Sequence, residues 1–238
     1  MSKRAVVLAG GKGTRLRPYT VVLPKPLMPV GEYPILEVIV RQLARAGFDH
    51  ISMAVNHQAN IIKAFFQEGQ QWGVRIDYSL EMTPLSTIGP LRLVQDLPEN
   101  FILMNGDVLT DLNFDCLFQE HVASASVFTV AASQRTQVID YGVLTIDDSR
   151  LLTAFSEKPR LQYLVSMGVY AVNRSVLSLV PSNQPYGFDN LMHDLLARGE
   201  RVRVRPYHGY WLDIGRPDDY LQAIDEFEQR RETLLPYA

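Results

Sequence analysis

The chain has 238 residues, 47 % of them hydrophobic, which is enough for a folded core and excludes a disordered chain. Acidic residues outnumber basic ones by 26 to 23, so no cationic excess is available to grip a nucleic-acid backbone. The single cysteine, Cys116, excludes an internal disulfide and a CxxC metal site and suits a reducing compartment.

The N-terminus runs from Met1-Ser2-Lys3-Arg4 into an apolar stretch that ends at Gly10, too short for the core of a signal peptide. No stretch approaches the roughly 18 apolar residues of a membrane span. A soluble cytoplasmic protein with no membrane and no nucleic-acid partner is expected. Residues 5–8 predict a buried strand. Residues 35–46 carry apolar side chains at 35, 36, 39, 40 and 43, a helical spacing, with Gly47 as C-cap. A strand over 51–55 follows, then a helix over 58–67 with Ile61, Ile62, Phe65 and Phe66 on one side. Strands are predicted over 74–79 and 101–104, the latter ending at Asn105-Gly106-Asp107. This alternation predicts βαβ units and a largely parallel sheet. Beyond residue 126 strands dominate, over 127–132, 142–146, 151–155 and 166–172, with helices over 188–197 and 220–231. The last helix could pack on the core or on a partner. No repeat, low-complexity segment or linker divides the chain, so one domain over 1–238 is expected.

The first strand runs into Leu8-Ala9-Gly10-Gly11-Lys12-Gly13-Thr14-Arg15. Closely spaced glycines let backbone N–H groups turn toward an anion, and Arg15 and Arg17 add positive charge. A Walker A loop is excluded because Gly13 separates Lys12 from Thr14, and a dinucleotide fingerprint because Leu16 stands at its third glycine. Prolines at 24, 26, 29 and 34 stiffen the next stretch, so Lys25 is expected on a fixed, extended backbone beside the loop. Such a cation suits a triphosphate or a phosphosugar. Asp107 ends a strand, where α/β folds bind ligands, and Asp213 ends another short apolar segment. Asp115 reads as a charge at a helix N-terminus.

The pattern Gly10-Gly11-x-Gly13-Thr14-Arg15-Leu16-x-Pro18-x-Thr20-x-x-x-Pro24-Lys25-Pro26-Leu27-x-Pro29-Val30 resembles the signature of sugar-1-phosphate nucleotidyltransferases, also called nucleotide-sugar pyrophosphorylases. Later motifs continue the resemblance to about residue 220. It implies a Rossmann-like three-layer α/β/α sandwich with a mixed, mostly parallel central sheet, a nucleotide-binding half over 1–125 and a sugar-phosphate half over 126–238. It implies a reaction in which a nucleoside triphosphate and a sugar 1-phosphate give an NDP-sugar and pyrophosphate. Two polyanions must then meet, and Mg²⁺ on carboxylate ligands offsets their repulsion.

By that resemblance Asp107 and Asp213 hold Mg²⁺, and Arg15, Lys25, Asp107 and Lys158 are the catalytic set. The nucleotide is held by Leu8, Ala9, Gly10, Gly11, Gly13, Thr14 and Arg15, together with Glu81, Pro84, Ser86 and Thr87. The sugar phosphate is held by Asn105, Tyr141, Gly142, Glu157, Lys158, Ser166 and Gly168. Within the Glu157-Lys158-Pro159 motif the carboxylate accepts from sugar hydroxyls and the ammonium meets the phosphate. The attacking phosphate oxygen is already anionic, so no general base is needed. His57, His121, His193 and His208 read as surface or packing residues.

Two segments depart from the family pattern. Ser86 and Ile88 replace a glycine and a small residue near the base, and Ser166-Met167-Gly168 replaces Asn-Ala-Gly near the sugar. A regulatory homologue that binds nucleotide sugar without turnover, or a transferase for a non-sugar phosphate, are the alternatives. Gly89-Pro90-Leu91 and the run from Gly209 to Asp219 resemble guanylyltransferases of the mannose- and heptose-1-phosphate type, so GTP is favoured, with thymidylyl- and uridylyltransferases, which share most of the same residues, as alternatives. Relatives are often oligomeric, so a homo-oligomer is a further expectation, with no interface legible in the sequence.

Overall fold

The computed structural model describes residues 3–56 and 58–235; His57, Met1 and Ser2, read above, lie outside the described residues. The first half of the chain contains β1 (Lys3–Leu8), β2 (Pro29–Val30), β3 (Tyr33–Pro34), α1 (Ile35–Arg45), β4 (Phe48–Val55), α2 (Ala59–Phe66), β5 (Arg75–Leu80), β6 (Asn100–Asn105), β7 (Val108–Thr110) and α3 (Phe114–Ser124). The second half contains β8 (Phe128–Val138), β9 (Gly142–Ile146), β10 (Leu152–Glu157), β11 (Arg160–Asn173), α4 (Phe188–Ala197), β12 (Val202–Tyr207), β13 (Trp211–Asp213) and α5 (Pro217–Leu234).

Seven strands form one sheet in the order β12-β8-β11-β6-β1-β4-β5. Only β11 runs against its neighbours, pairing antiparallel with β6 and β8, so the sheet is mixed and mostly parallel. Side chains alternate across a strand. Ala5, Val7, Ile102, Met104, Val169 and Ala171 therefore join one core, beneath α1, α2, α3 and α5. Val6, Phe101, Leu103, Phe128, Tyr170 and Val172 join the other, beneath α4 and the turn of 89–93. Burial on both faces explains why the central strands read as unbroken apolar runs. In α1, Leu36, Ile39, Val40 and Leu43 are fully buried, each stabilising the fold by about 1.5–3 kcal/mol.

The last helix packs on the core. Pro217 stands in its first turn, Asp219 accepts the Gly215 and Arg216 N–H groups, and the Tyr220 hydroxyl donates to Pro29 O at 2.8 Å. Asp115 does stand in the first turn of α3, paired with Lys3 at 2.6 Å. Several features differ from the sequence reading, among them α3, whose extent it did not give, and the short strands β2, β3, β7 and β13. Lys25–Leu27 is one turn of 3-10 helix rather than extended chain, and Lys25 is buried. β12 was missed because Pro206 argues against a strand, but β12 lies at the sheet edge, where a missing N–H is tolerated. β8 and β11 extend well past the predicted 127–132 and 166–172, because their outer halves are exposed and carry no burial pattern.

Candidate active site

The parallel strands β1, β4, β5 and β6 open their C-terminal ends on one edge of the sheet. Backbone bonds tie the loops there: Gly106 N–H to Leu8 O at 2.9 Å, Ala9 N–H to Ala54 O at 2.8 Å, and Glu81 N–H to Val55 O at 2.8 Å. Between these loops lies a cleft of about 500 Å³. Leu8, Gly10, Gly11, Lys25, Glu81, Pro84, Ser86, Thr87, Asn105 and Asp107 all line it. Ala9, Gly13, Thr14 and Arg15 belong to the same loop without lining that cleft. A larger cavity of about 820 Å³ between α1, α3 and the end of α5 holds none of the predicted site residues.

The glycines differ in what they permit. Gly13 is left-handed, with φ +59°, and a Cβ there would come within 2.8 Å of Thr20 Cγ2 and 3.1 Å of Lys25 Cβ. It lets the loop turn back against the Lys25 turn. Among the described residues nothing lies within 4 Å of the Gly11 Cβ position, and Gly11 lines the cleft. The buried Glu81 carboxylate accepts from the Leu85 N–H and from the Asn56 side-chain amide, the latter at 3.3 Å, closing the 81–85 turn.

The acids lie on neighbouring backbones. β7 and β13 pair antiparallel, setting Asp213 opposite Val108, and Ile214 N–H donates to Asp107 O at 3.1 Å. Lys25 Nζ donates to Asp107 Oδ2. The other oxygen, Asp107 Oδ1, is buried with no hydrogen-bond partner among the described residues. Asp213 opens to solvent on one side and is crowded by protein on the others. That crowding, then the negative charge of Asp107, holds its carboxyl above the usual carboxylate range against the opposing pull of Lys25. The Cβ position of Gly215 is 3.5 Å from Arg15 Nη2, Asp213 Oδ2 and Asp219 Oδ2, which brings Arg15 to the second acid. A buried acceptor without a donor and two repelling carboxylates fit a hard divalent cation.

The sugar-end residues form two groups. Asn105 and Gly168 pack together: Gly168 has φ +71°, and a Cβ there would come within 2.6 Å of Asn105 Nδ2. Ser166 Oγ lies 3.0 Å from the hydroxyl of the buried Tyr170, and Trp211 Nε1 donates to Met167 O at 2.9 Å. Tyr141, Gly142, Glu157 and Lys158 stand apart from the cleft, at the root of an exposed hairpin. Gly142 pairs with Glu157 across it, Lys158 N–H donates to Tyr141 O at 3.3 Å, and Lys158 Nζ meets Asp140 at 2.9 Å.

Residues 4–230 match the nucleotidyl transferase family. The chain belongs to that family. It is 32 % identical to a UTP–glucose-1-phosphate uridylyltransferase of Synechocystis sp. over 93 % of this chain and 62 % of that protein. It is also 32 % identical to a mannose-1-phosphate guanyltransferase of Candida albicans, over 92 % of this chain and 63 % of that protein. The chain thus spans about 62–63 % of the length of these relatives. A solved glucose-1-phosphate thymidylyltransferase-like protein from Bacillus anthracis superposes with a TM-score of 0.77, covering 94 % of each chain at 23 % identity, and shares the fold.

Ser86 and Ile88, the first two departures from the family pattern, have different consequences. Ser86 keeps a left-handed backbone, φ +67°, and lines the cleft, so the glycine-type turn persists with a hydroxymethyl group on it. Ile88 does not reach the cleft; it is fully buried in the core with Leu91 and Phe101. Thr87 Oγ1 accepts the Phe188 N–H at 2.8 Å, so it also fixes the start of α4. Asn56 is a cleft residue the sequence reading missed. Its signal was its place immediately after β4, at the same strand edge as Asp107.

Proposed function

We propose that this chain is a sugar-1-phosphate nucleotidyltransferase that joins a nucleoside triphosphate, GTP by preference, to a sugar 1-phosphate. The observation that carries the reading is Asp107: paired with buried Lys25, facing Asp213, and holding one unpartnered buried oxygen at a glycine-lined cleft. An oxygen of the sugar phosphate attacks the α-phosphorus, the bond to the β-phosphate oxygen breaks, and pyrophosphate leaves. Because the attacking oxygen is already an anion, the chain supplies position and charge rather than a base. Gly10 and Gly11 let the triphosphate approach the backbone, and Gly13 shapes the loop that carries Arg15. Glu81, Pro84, Ser86 and Thr87 line the nucleoside end of the cleft. Lys25 meets the reacting phosphates, while Glu157 and Lys158 hold the sugar phosphate. Asp107 and Asp213 would hold Mg²⁺, which supplies neutralisation of the charge gathering on the phosphates. The preference for GTP rests on Gly89-Pro90-Leu91 and the 209–219 run.

The test is pyrophosphate release with Mg²⁺, scanning GTP, dTTP, UTP, ATP and CTP against hexose and heptose 1-phosphates. Release with GTP and one sugar phosphate is expected. A folded protein that binds nucleotide across the panel and releases nothing is instead a nucleotide-sugar-binding homologue. Asp213→Asn sharpens the metal assignment. It removes a crowded charge that repels Asp107, so its melting temperature should rise while turnover is lost. Mg²⁺ should raise the melting temperature of the unaltered chain and not that of Asp213→Asn.

A further inference from the structure

Arg135 is a cation that the proposed reaction does not use. On β8, Thr129 meets His121 of α3 and Ala131 joins the core beneath that helix, so alternation along the strand puts Arg135 on the same side of the sheet. There its guanidinium stands over the ring of Trp211, 4.7 Å from the ring centre. Arg135 has no ion-pair or hydrogen-bond partner among the described residues. Trp211 ties this cation to the candidate site. Its Nε1 donates to Met167 O at 2.9 Å, between Ser166 and Gly168, and it shares one face of β13 with Asp213. Along the sheet, Arg135 lies between the two groups of sugar-end residues. Toward the cleft Ala132 pairs with Ser166, and toward the hairpin Val138 pairs with Arg160, just after Glu157 and Lys158. Arg135 and its cross-strand neighbour Tyr163 are both exposed, so this stretch is open to a ligand.

A ring fixed by its own N–H is a steady platform, and stacking on it orients the guanidinium while leaving its N–H edge free. That edge matches the two oxygens of a carboxylate. On the reading above, Lys25, Lys158 and the metal proposed at Asp107 and Asp213 already serve the reacting phosphates. A neutral hydroxyl gains less from a full charge than an anion does. A phosphate ester carries about −1.5 to −2 charges and would be only partly balanced by one guanidinium, whereas a carboxylate is matched one to one. We propose that the sugar 1-phosphate taken by this chain is a sugar acid, and that Arg135 binds its carboxylate. This deepens the nucleotidyltransferase reading and rests on it.

The test compares glucose with glucuronic acid and mannose with mannuronic acid, each as the 1-phosphate, in pyrophosphate release with Mg²⁺ and each nucleoside triphosphate. One uronic acid should exceed its neutral partner in kcat/KM by about tenfold or more, the scale of a charge-assisted bond. Arg135→Gln should raise KM for that acid about tenfold and leave KM for the nucleotide and for the neutral sugar within about twofold. Arg135→Lys should restore only part of the preference, because a point charge lacks the fork. Calorimetric titration with UDP-glucose against UDP-glucuronic acid, and GDP-mannose against GDP-mannuronic acid, reads the same contact without turnover. One acidic member should bind about tenfold more tightly, and Arg135→Gln should abolish the difference. Turnover of neutral and acidic sugars alike, indifferent to Arg135→Gln, overturns this inference and leaves the reaction standing. No release from any sugar phosphate overturns the reaction, and the titrations then decide Arg135 alone: a chain that binds acidic and neutral nucleotide sugars equally, or binds neither, has no carboxylate site there.

Discussion

A Cβ on Gly11 would meet no atom of the described residues within 4 Å, while one on Gly13 would strike Thr20 and need a left-handed backbone. The two glycines of one loop thus differ: Gly13 answers to chain geometry, and Gly11, on the proposed function, leaves space for the nucleotide. Gly11→Ala should leave the melting temperature within about 1 °C and raise KM for the nucleotide about tenfold, because a methyl fills space a phosphate needs. Gly13→Ala should destabilise the fold by about 1–2 kcal/mol, since an L-residue is strained at that φ. Thermal melts and nucleotide titrations on the pair separate the roles. Equal losses of stability would place Gly11 in the packing after all. The glycines and Lys25 stood out by the spacing of one motif, and the acids by their places at strand ends and by the family resemblance; the structure brings Lys25, Asp107 and Gly11 to one cleft. That Lys25 is buried against Asp107 was not legible, because the contact joins residues 82 apart in sequence.

At the level of elements, the short pair β7 and β13 aligns the two acids, and Thr110 and Asp111 latch it. Thr110 Oγ1 donates to Tyr210 O at 2.7 Å, and Asp111 accepts the Tyr210 N–H at 2.7 Å and the Tyr207 hydroxyl. With Asp107 and Asp213 holding Mg²⁺ as proposed, Asp111→Ala should raise the Mg²⁺ concentration for half-maximal activity roughly tenfold, the usual cost of loosening a metal ligand's support, with KM for the nucleotide unchanged. An unaltered metal dependence would detach the latch from the acids. Helix α3 carries a second consequence. His121 is buried there, Nδ1 lies 2.8 Å from Thr129 Oγ1 on β8, and burial pushes its pKa down to about 4. Folded, it stays neutral where the unfolded chain takes a proton. Between about pH 6.5 and 4 the unfolded state binds more protons, so stability falls as pH falls, by up to about 3 kcal/mol across the window. His121→Leu should flatten that slope in melts from pH 7 to 4, and an unchanged slope would exonerate the histidine. Among the helices, α1 and α4 were legible at nearly their true bounds because their apolar faces are strongly periodic. Only the acidic start of α3 was seen, since its buried face is just Phe114, Leu117 and His121.

Across the whole molecule, legibility follows burial. The parallel half announced itself through apolar runs that exist because both sheet faces are covered, and its strands close around the cleft. The second half follows this in part: β8 and β11 were read only over their buried segments, whereas the exposed β9 and β10 were read close to their true bounds. Of the residues assigned to the sugar end, Asn105 lines the cleft, whereas Tyr141, Gly142, Glu157 and Lys158 sit at the root of an exposed hairpin. The cleft and the hairpin thus differ in burial, and on the proposed function this predicts how Lys158 behaves when removed. Its only ion-pair partner among the described residues is Asp140, and both side chains are exposed, so the pair contributes about 0–1 kcal/mol to the fold. Lys158→Ala should therefore shift the melting temperature by less than about 2 °C. Losing a charge-assisted bond to the sugar phosphate should cost about 1.5–3 kcal/mol there, a roughly ten- to hundredfold rise in its KM. KM for the nucleotide, held on the sheet edge, should move less than about twofold. Equal rises in both constants would mean that the hairpin and the cleft bind as one unit, and their separation would be wrong.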